Sequence, residues 1–267
     1  MIPLSTKTFP ASAEALQDLM NESLGRVFDF TRPPVTLEVS SFPALSAINI
    51  SLDDARLRRD PPRPPSMPGK TVPALQVERL TIQGSPIFLE GAALELDLSA
   101  EAVRFNQGHD DNGEIVLSLE DAADGKIAIR IAPQDLEALI GAVAKAEAGK
   151  QGVTIDDVQL ALRSTSSRSL SAEVRLRARK LFLSATIQIT GQLDLDGQLN
   201  ARLSGLRCKG DGAIASMACG FLAPHLQKLD GREFALMAVP LGNIRLRDVR
   251  LAVSDKLSVD AEFGSAS

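Results

Sequence analysis

The sequence predicts an α+β protein in which a long curved antiparallel β-sheet wraps on two or three amphipathic helices. Three observations lead there. Apolar residues alternate with a period of two over most of the chain, as in Ile115-Leu117-Leu119, Ile127-Ile129-Ile131, Ala172-Val174-Leu176-Ala178 and Ala185-Ile187-Ile189; that step puts successive side chains on opposite faces of a strand. Asn112-Gly113, Asp124-Gly125 and Asp196-Gly197 stand before or between such runs and supply the positive φ angles of tight hairpin turns. Only three segments switch to helical spacing.

The first helix runs from about Ser12 to Phe28, with Leu16, Leu19, Met20, Leu24, Val27 and Phe28 on one face. It gives an N-terminal helical segment over residues 1–30, ahead of a single domain over 31–267. The second opens with Pro133, carries Asp135 and Glu137 near its positive end, aligns Leu136, Leu139, Ile140 and Val143, and stops around Gly149. The third, from Gly212 to Gly231, places Ile214, Met217, Phe221, Leu222, Leu226 and Leu229 at helical spacing, and Pro224 is expected to kink or split it. A weak repeat joins four strand segments, Ile50 to Leu57, Leu75 to Ile82, Val153 to Leu160 and Ile244 to Leu251, each apolar at its first, third, sixth and eighth positions. The first two of those positions share a strand face with the last two only if an extra residue is inserted, so the pattern is read either as a β-bulge at each polar centre or as four strand-to-turn junctions of chance similarity.

With 44% hydrophobic and 24% charged residues in a chain of 267, most apolar surface is buried in one large core or two small ones. A net charge of -5, no Trp or Tyr and ten Phe argue against nucleic acid as a partner, which needs a broad cationic surface or stacking platforms. Two Cys and two His supply neither a zinc site without carboxylates nor a disulfide framework. Cys208 and Cys219 could approach each other across a turn and a helix, but spacing alone does not establish a bridge and free buried thiols are the expectation, while His225 is expected as a structural histidine in an apolar helix. No segment has the roughly 20 apolar residues that cross a bilayer, and the start Met-Ile-Pro-Leu-Ser-Thr-Lys has no apolar signal core. The chain as it stands reads as cytoplasmic, or as a cell-envelope or periplasmic protein if a leader has been removed.

Motif by motif, chemistry is hard to find. Gly69-Lys70-Thr71 ends like a phosphate loop, but Pro64 occupies the required upstream glycine position. His109-Asp110-Asp111-Asn112-Gly113 lacks calcium-loop spacing and reads as a turn. Asp156 and Asp157 are adjacent on a strand and so point to opposite faces, a poor shared acid pair. The expectation is therefore no enzyme, with no catalytic residue, metal or cofactor. Arg175, Arg177 and Arg179 are the wet face of a half-buried strand. A stiff loop from Arg56 to Lys70 holds Arg56, Arg58, Arg59, Arg63 and Lys70 against Asp60 alone, among five prolines. It is either a solvated linker or a transient contact with an anionic membrane surface, to which each cation adds about 1 kcal/mol.

The order of these features resembles the LmeA-like family of bacterial phospholipid-binding domains, related to tubular lipid-binding folds. The resemblance runs through Val35 to Leu45 with its Phe42-Pro43, through Ile131-Ala132-Pro133-Gln134-Asp135-Leu136 leading into the central helix, and above all through the C-terminal part. There a strand pair over Leu181 to Leu203, the helix over Ile214 to Leu229, Val239-Pro240-Leu241-Gly242 and the strand over Ile244 to Val253 follow one another. It covers Phe28 to Phe263 and departs from the family in showing neither an export signal nor a lipoprotein cysteine. The resemblance implies noncatalytic binding, or transfer, of a phospholipid or another acyl-chain lipid. Leu139, Ile140, Val143, Ile214, Met217, Phe221 and Leu222 are the expected lining of its groove, where ten buried methylenes would contribute roughly 8 kcal/mol before ordering costs. The alternative is a structural or assembly module that docks a protein partner through its sheet.

Overall fold

The computed structural model describes residues 1–150, 152–180, 183–236 and 243–265, and of residues 147, 180, 183, 213, 214 and 221 the backbone alone. In chain order the N-terminal half contains β1 (Ile2–Pro3), α1 (Ala13–Val27), β2 (Phe28–Asp29), β3 (Val35–Ser41), β4 (Ala44–Ser51), β5 (Arg56–Leu57), β6 (Val72–Leu89), β7 (Ala92–His109), β8 (Ile115–Asp121) and β9 (Asp124–Ile131). Then come α2 (Pro133–Gly149), β10 (Thr154–Ser166), β11 (Ser169–Lys180), β12 (Leu183–Leu195), β13 (Asn200–Gly210), α3 (Ala213–Leu229), β14 (Glu233–Ala235), β15 (Ile244–Val253) and β16 (Leu257–Ser265). The protein is α+β, mostly β-sheet and mostly antiparallel.

Two sheets share the strands. The larger has eleven, ordered β15-β16-β9-β7-β6-β4-β3, with β8 on the far half of β7, β1 on β8, and the β2–β5 pair beside β6. The smaller is a five-stranded meander, β10-β11-β12-β13-β14. They meet where the Leu251 N–H donates to the Ser167 carbonyl and Arg168 reaches Asp248 at 2.8 Å. Two pairings depart from the antiparallel expectation, because β4 and the short β5 both run parallel to β6. Parallel neighbours cannot be joined by a tight hairpin and need a long crossover. The basic proline-rich loop is part of that crossover, spanning 58–71 without regular structure and resting Met67 against Gly108.

Each helix forms where its sequence pattern requires and adds a polar contact to a strand. Ser12 caps α1 by accepting the Ala15 N–H, a bond that satisfies one of the helix's free first-turn donors. The buried stripe of α1 includes Leu16 and Met20. On the neighbouring face, Asn21 and Gln17 accept the N–H groups of Val35 and Leu37 at 2.9 and 3.0 Å, which pairs the outer edge of β3 that would otherwise invite another strand. From α2, Asp135 accepts the Ala93 N–H of β7 and Glu137 the Leu160 N–H of β10, so this helix bridges the two sheets. Asp230, after α3, accepts the Leu206 N–H of β13.

Several expectations need correction. Cys208 and Cys219 are not free thiols; they form a disulfide that ties α3 to β13. Helix α3 is not split, since Pro224 sits inside one run of 17 residues, and His225 lies exposed on it. Asp124-Gly125 does not make a turn but begins β9, where a Cβ on Gly125 would collide with the Phe263 ring. Bulges exist in two of the four segments, between Ile155 and Asp157 and between Leu246 and Asp248. In the other segments, β4 ends at Ser51 and turns through Asp53-Asp54, and β6 keeps its register from Leu75 to Ile82.

Candidate functional site

The cross-strand registers build one apolar face from single residues. In the larger sheet, Val35, Ile50, Ile82, Leu98, Ile127, Ala261 and Val249 lie in one row over β3, β4, β6, β7, β9, β16 and β15. Beside it run Leu96, Ile129, Val259 and Leu251, then Leu94, Ile131, Leu257 and Val253. In the smaller sheet the rows are Val158-Leu176-Ile187-Gly210 and Leu160-Val174-Ile189-Cys208, and nearer the joint Ser164-Leu170-Leu193-Leu203. At the joint the two faces merge, for Val249, Leu251, Val259 and Ala261 pack in one cluster with Leu170, Leu193 and Leu195.

Helices stand on this face at both ends. Under α1 a cavity of about 200 Å³ is lined by Met20, Ile50, Leu80, Leu98, Phe105 and Phe263 among others, all apolar. At the opposite end Gly141 of α2 abuts Val158 of β10, while α3 is held on β13 by Ala215 against Gly210 and by the Cys219 disulfide. Burial varies along the face, and Val249 and Leu251 at the joint and Ile187 in the smaller sheet are buried at 6%, 5% and 7% exposure. Ile48, Leu45 and Leu117 are 1% exposed beneath α1, whereas Leu98, Ile127 and Val259 are half-buried and Ile129 is 37% exposed. In the smaller sheet Val158, Leu160, Leu162, Val174 and Ile189 are all half-buried.

Of the residues expected to line a groove, Leu139, Ile140 and Leu222 are half-buried, and Val143 and Met217 are 65% and 64% exposed. The side chains of Ile214 and Phe221 lie outside the described residues. The sheet residues that form most of the apolar face were not singled out from sequence, although their alternation was visible. Only pairing registers show which alternating runs share a row. A larger hollow of about 670 Å³ lies at the β3–β4 turn, with Gln76, Arg104, Asn106, Glu120 and Asn243 on its walls. Its polar groups already serve one another, Arg104 with Asp121 and Asn243 with Glu120, so it offers less to a ligand than the apolar face.

In the basic crossover, Arg56 stacks over Phe88 at 4.3 Å and Arg58 pairs with Asp29 at 2.8 Å, leaving Arg59 and Arg63 exposed without an ion-pair partner among the described residues. Asp110 organises the turn predicted at Asn112-Gly113, and backbone N–H bonds, chiefly from Glu114, hold its carboxyl below the usual range. Among the described residues no cluster of three or more His, Cys, Asp or Glu is placed to hold a metal ion, and no helix is long and apolar enough to cross a membrane. No family model, curated protein or solved structure matches the chain.

Proposed function

We propose that the apolar face is the floor of a groove, wrapped on the helices, that binds a phospholipid or another acyl-chain lipid without catalysis. The observation that carries this reading is the continuity of the apolar rows across both sheets, on which Leu98, Ile127, Ile129, Val158, Leu160 and Val174 stay half-buried or exposed outside the buried clusters under α1 and at the joint. Contiguous apolar surface left half-open to water marks an interaction site, since a monomer gains nothing from keeping it exposed. Length supports the choice of ligand. A row crossing seven strands at about 4.8 Å per step spans roughly 29 Å, more than the roughly 15 Å of one acyl layer in a bilayer. Leu139, Ile140, Val143, Ile214, Met217, Phe221 and Leu222 would flank the floor, and the resemblance to LmeA-like domains points to the same ligand class.

The disulfide bears on location. Disulfides persist in oxidising compartments and are rare in the cytosol, so the Cys208–Cys219 bond favours the cell envelope or periplasm over the cytoplasm. The assembly alternative has one observation of its own. Past the part of β3 capped by α1, Val39 is 51% exposed on an edge strand, a place where another chain can add a strand.

Organic extraction of the purified protein followed by mass spectrometry tests the lipid reading. Bound phospholipid or fatty acid is expected, and uptake of a fluorescent phospholipid should fall when Val174→Trp or Ile129→Trp fills the floor. Folded variants with unchanged uptake, or a wild type that takes up no lipid after delipidation, would reject it in favour of the edge-strand alternative.

A further inference from the structure

Resting on the lipid-binding reading, we infer that the end of the smaller sheet, between α2 and α3, docks on an anionic bilayer and is the mouth through which acyl chains enter. Three placements coincide there. Val143 and Met217 are, apart from Met1, the most exposed large apolar side chains among the described residues. They occupy one level of the sheet. Gly141 beside Val158, Ala215 against Gly210 and Cys219 bonded to Cys208 put both helices alongside the rows from Val158 to Gly210 and from Leu160 to Cys208. Val143 is two residues past Gly141 and so about 200° around the helix, on the side turned from β10.

The charges are the third placement. On the polar face of the same sheet, Arg177 of β11 lies opposite Asp157 and Thr186, and Lys209 of β13 opposite Gln188. Lys145 of α2 is one turn past Gly141, and these three exposed cations have no ion-pair partner among the described residues. In a chain of net charge -5, adsorption to an anionic surface depends on such a local patch, and it weakens as salt shortens the screening length. Exposed apolar side chains and unpaired cations at one level of the sheet match the two layers of a lipid surface, acyl chains beneath phosphate headgroups. A protein partner would be served by the apolar residues without the cations. The crossover loop lacks the apolar half of this arrangement, and two of its arginines are already engaged.

Co-sedimentation at low salt with vesicles of phosphatidylcholine alone, and of equal parts phosphatidylcholine and phosphatidylglycerol, tests this on the full chain. The wild type should sediment with the anionic vesicles, and Lys145→Ser with Arg177→Ser and Lys209→Ser should lower its partition coefficient by roughly ten- to a hundredfold. Val143→Asp with Met217→Asp should do the same, while Arg59→Ser with Arg63→Ser should retain binding. All these side chains are exposed, and circular dichroism confirms folding; if the aspartate pair unfolds the chain, the serine triple decides. Loss of binding in the crossover variant alone, or no vesicle binding by the wild type, overturns the inference. So does a wild-type dimer in light scattering that the aspartate pair converts to monomer, since a second copy would then cover this end. Lipid carried by a protein that ignores vesicles refutes the docking end only, whereas vesicle binding by a protein that carries no lipid refutes the groove only.

Discussion

The two sheets are written in the same alternating pattern and come to different ends. In the larger, β4 and β6 turn Leu45, Ile48 and Leu80 inward to 1%, 1% and 6% exposure, because α1 and β1 close over them. In the smaller, Val158, Leu160, Leu162, Val174 and Leu176 remain half-buried although Ile155 is buried, because α2 packs mainly on β10 and α3 on β12 and β13. Alternation therefore decides which face of a strand is apolar, but the number of elements left to cover that face decides whether it becomes a core.

That contrast is broken most directly by cavity-making substitutions. Ile48→Ala should cost about 2–5 kcal/mol in urea denaturation of lipid-free protein, while Val174→Ala or Leu160→Ala should cost under about 1.5 kcal/mol, because water already reaches the site. Equal losses at the two places would mean that the smaller sheet has an ordinary closed core. A step smaller is the disulfide, which closes a short loop of 11 residues. Cys208→Ser with Cys219→Ser should remove about 2–4 kcal/mol, and hydrogen exchange should report faster opening in β13 and α3 with β4 to β7 unchanged. Uniform acceleration would show that the two sheets unfold as one.

The helix-to-edge hydrogen bonds come next and sharpen the comparison, since both sheets use them. Asn21→Ala should cost about 0.5–1.5 kcal/mol by stranding the Val35 N–H, and Glu137→Ala about 1.5–3 kcal/mol because its bond to Leu160 is charge-assisted. Thermal melts of the two variants give the ranking. If neither changes the midpoint, water replaces the side chains and the edges are not closed by the helices.

All three helices were legible to within two residues, because Ser12, Pro133 and Gly212 punctuate the starts of strongly periodic runs. Two bulges were legible because Asp156 and Arg247 interrupt apolar alternation that must resume on the same face. The parallel pairing of β4 with β6 was not, since nothing local distinguishes a crossover from any long loop. The role of Gly125 was hidden for the same reason: Asp-Gly is a turn signal, and only the distant Phe263 ring makes it a packing position. The disulfide escaped because a spacing of 11 residues does not state that a helix folds back on its own strand. The floor of the candidate groove was half legible, as runs of alternating residues without the registers that join them.

The smallest expected effect lies at the joint between the sheets. Asp248 accepts from Arg168 at 2.8 Å and from Arg250 at 2.7 Å, and these bonds, the Arg168 one foremost, hold its carboxyl below the usual range. A carboxyl depressed in the folded state stabilises fully above its unfolded value of about 3.9, and the contribution disappears as pH falls through the lower folded value. Both arginines are more than a third exposed, so solvent screening keeps the contribution under about 1 kcal/mol. The melting temperature of Asp248→Asn should therefore lie slightly below wild type near neutral pH, and the gap should close as the solution is acidified below about pH 4. Salt should narrow the gap in the same direction. A gap that is unchanged by acid would mean that Asp248 holds the sheets together by its shape and backbone contact rather than by its charge.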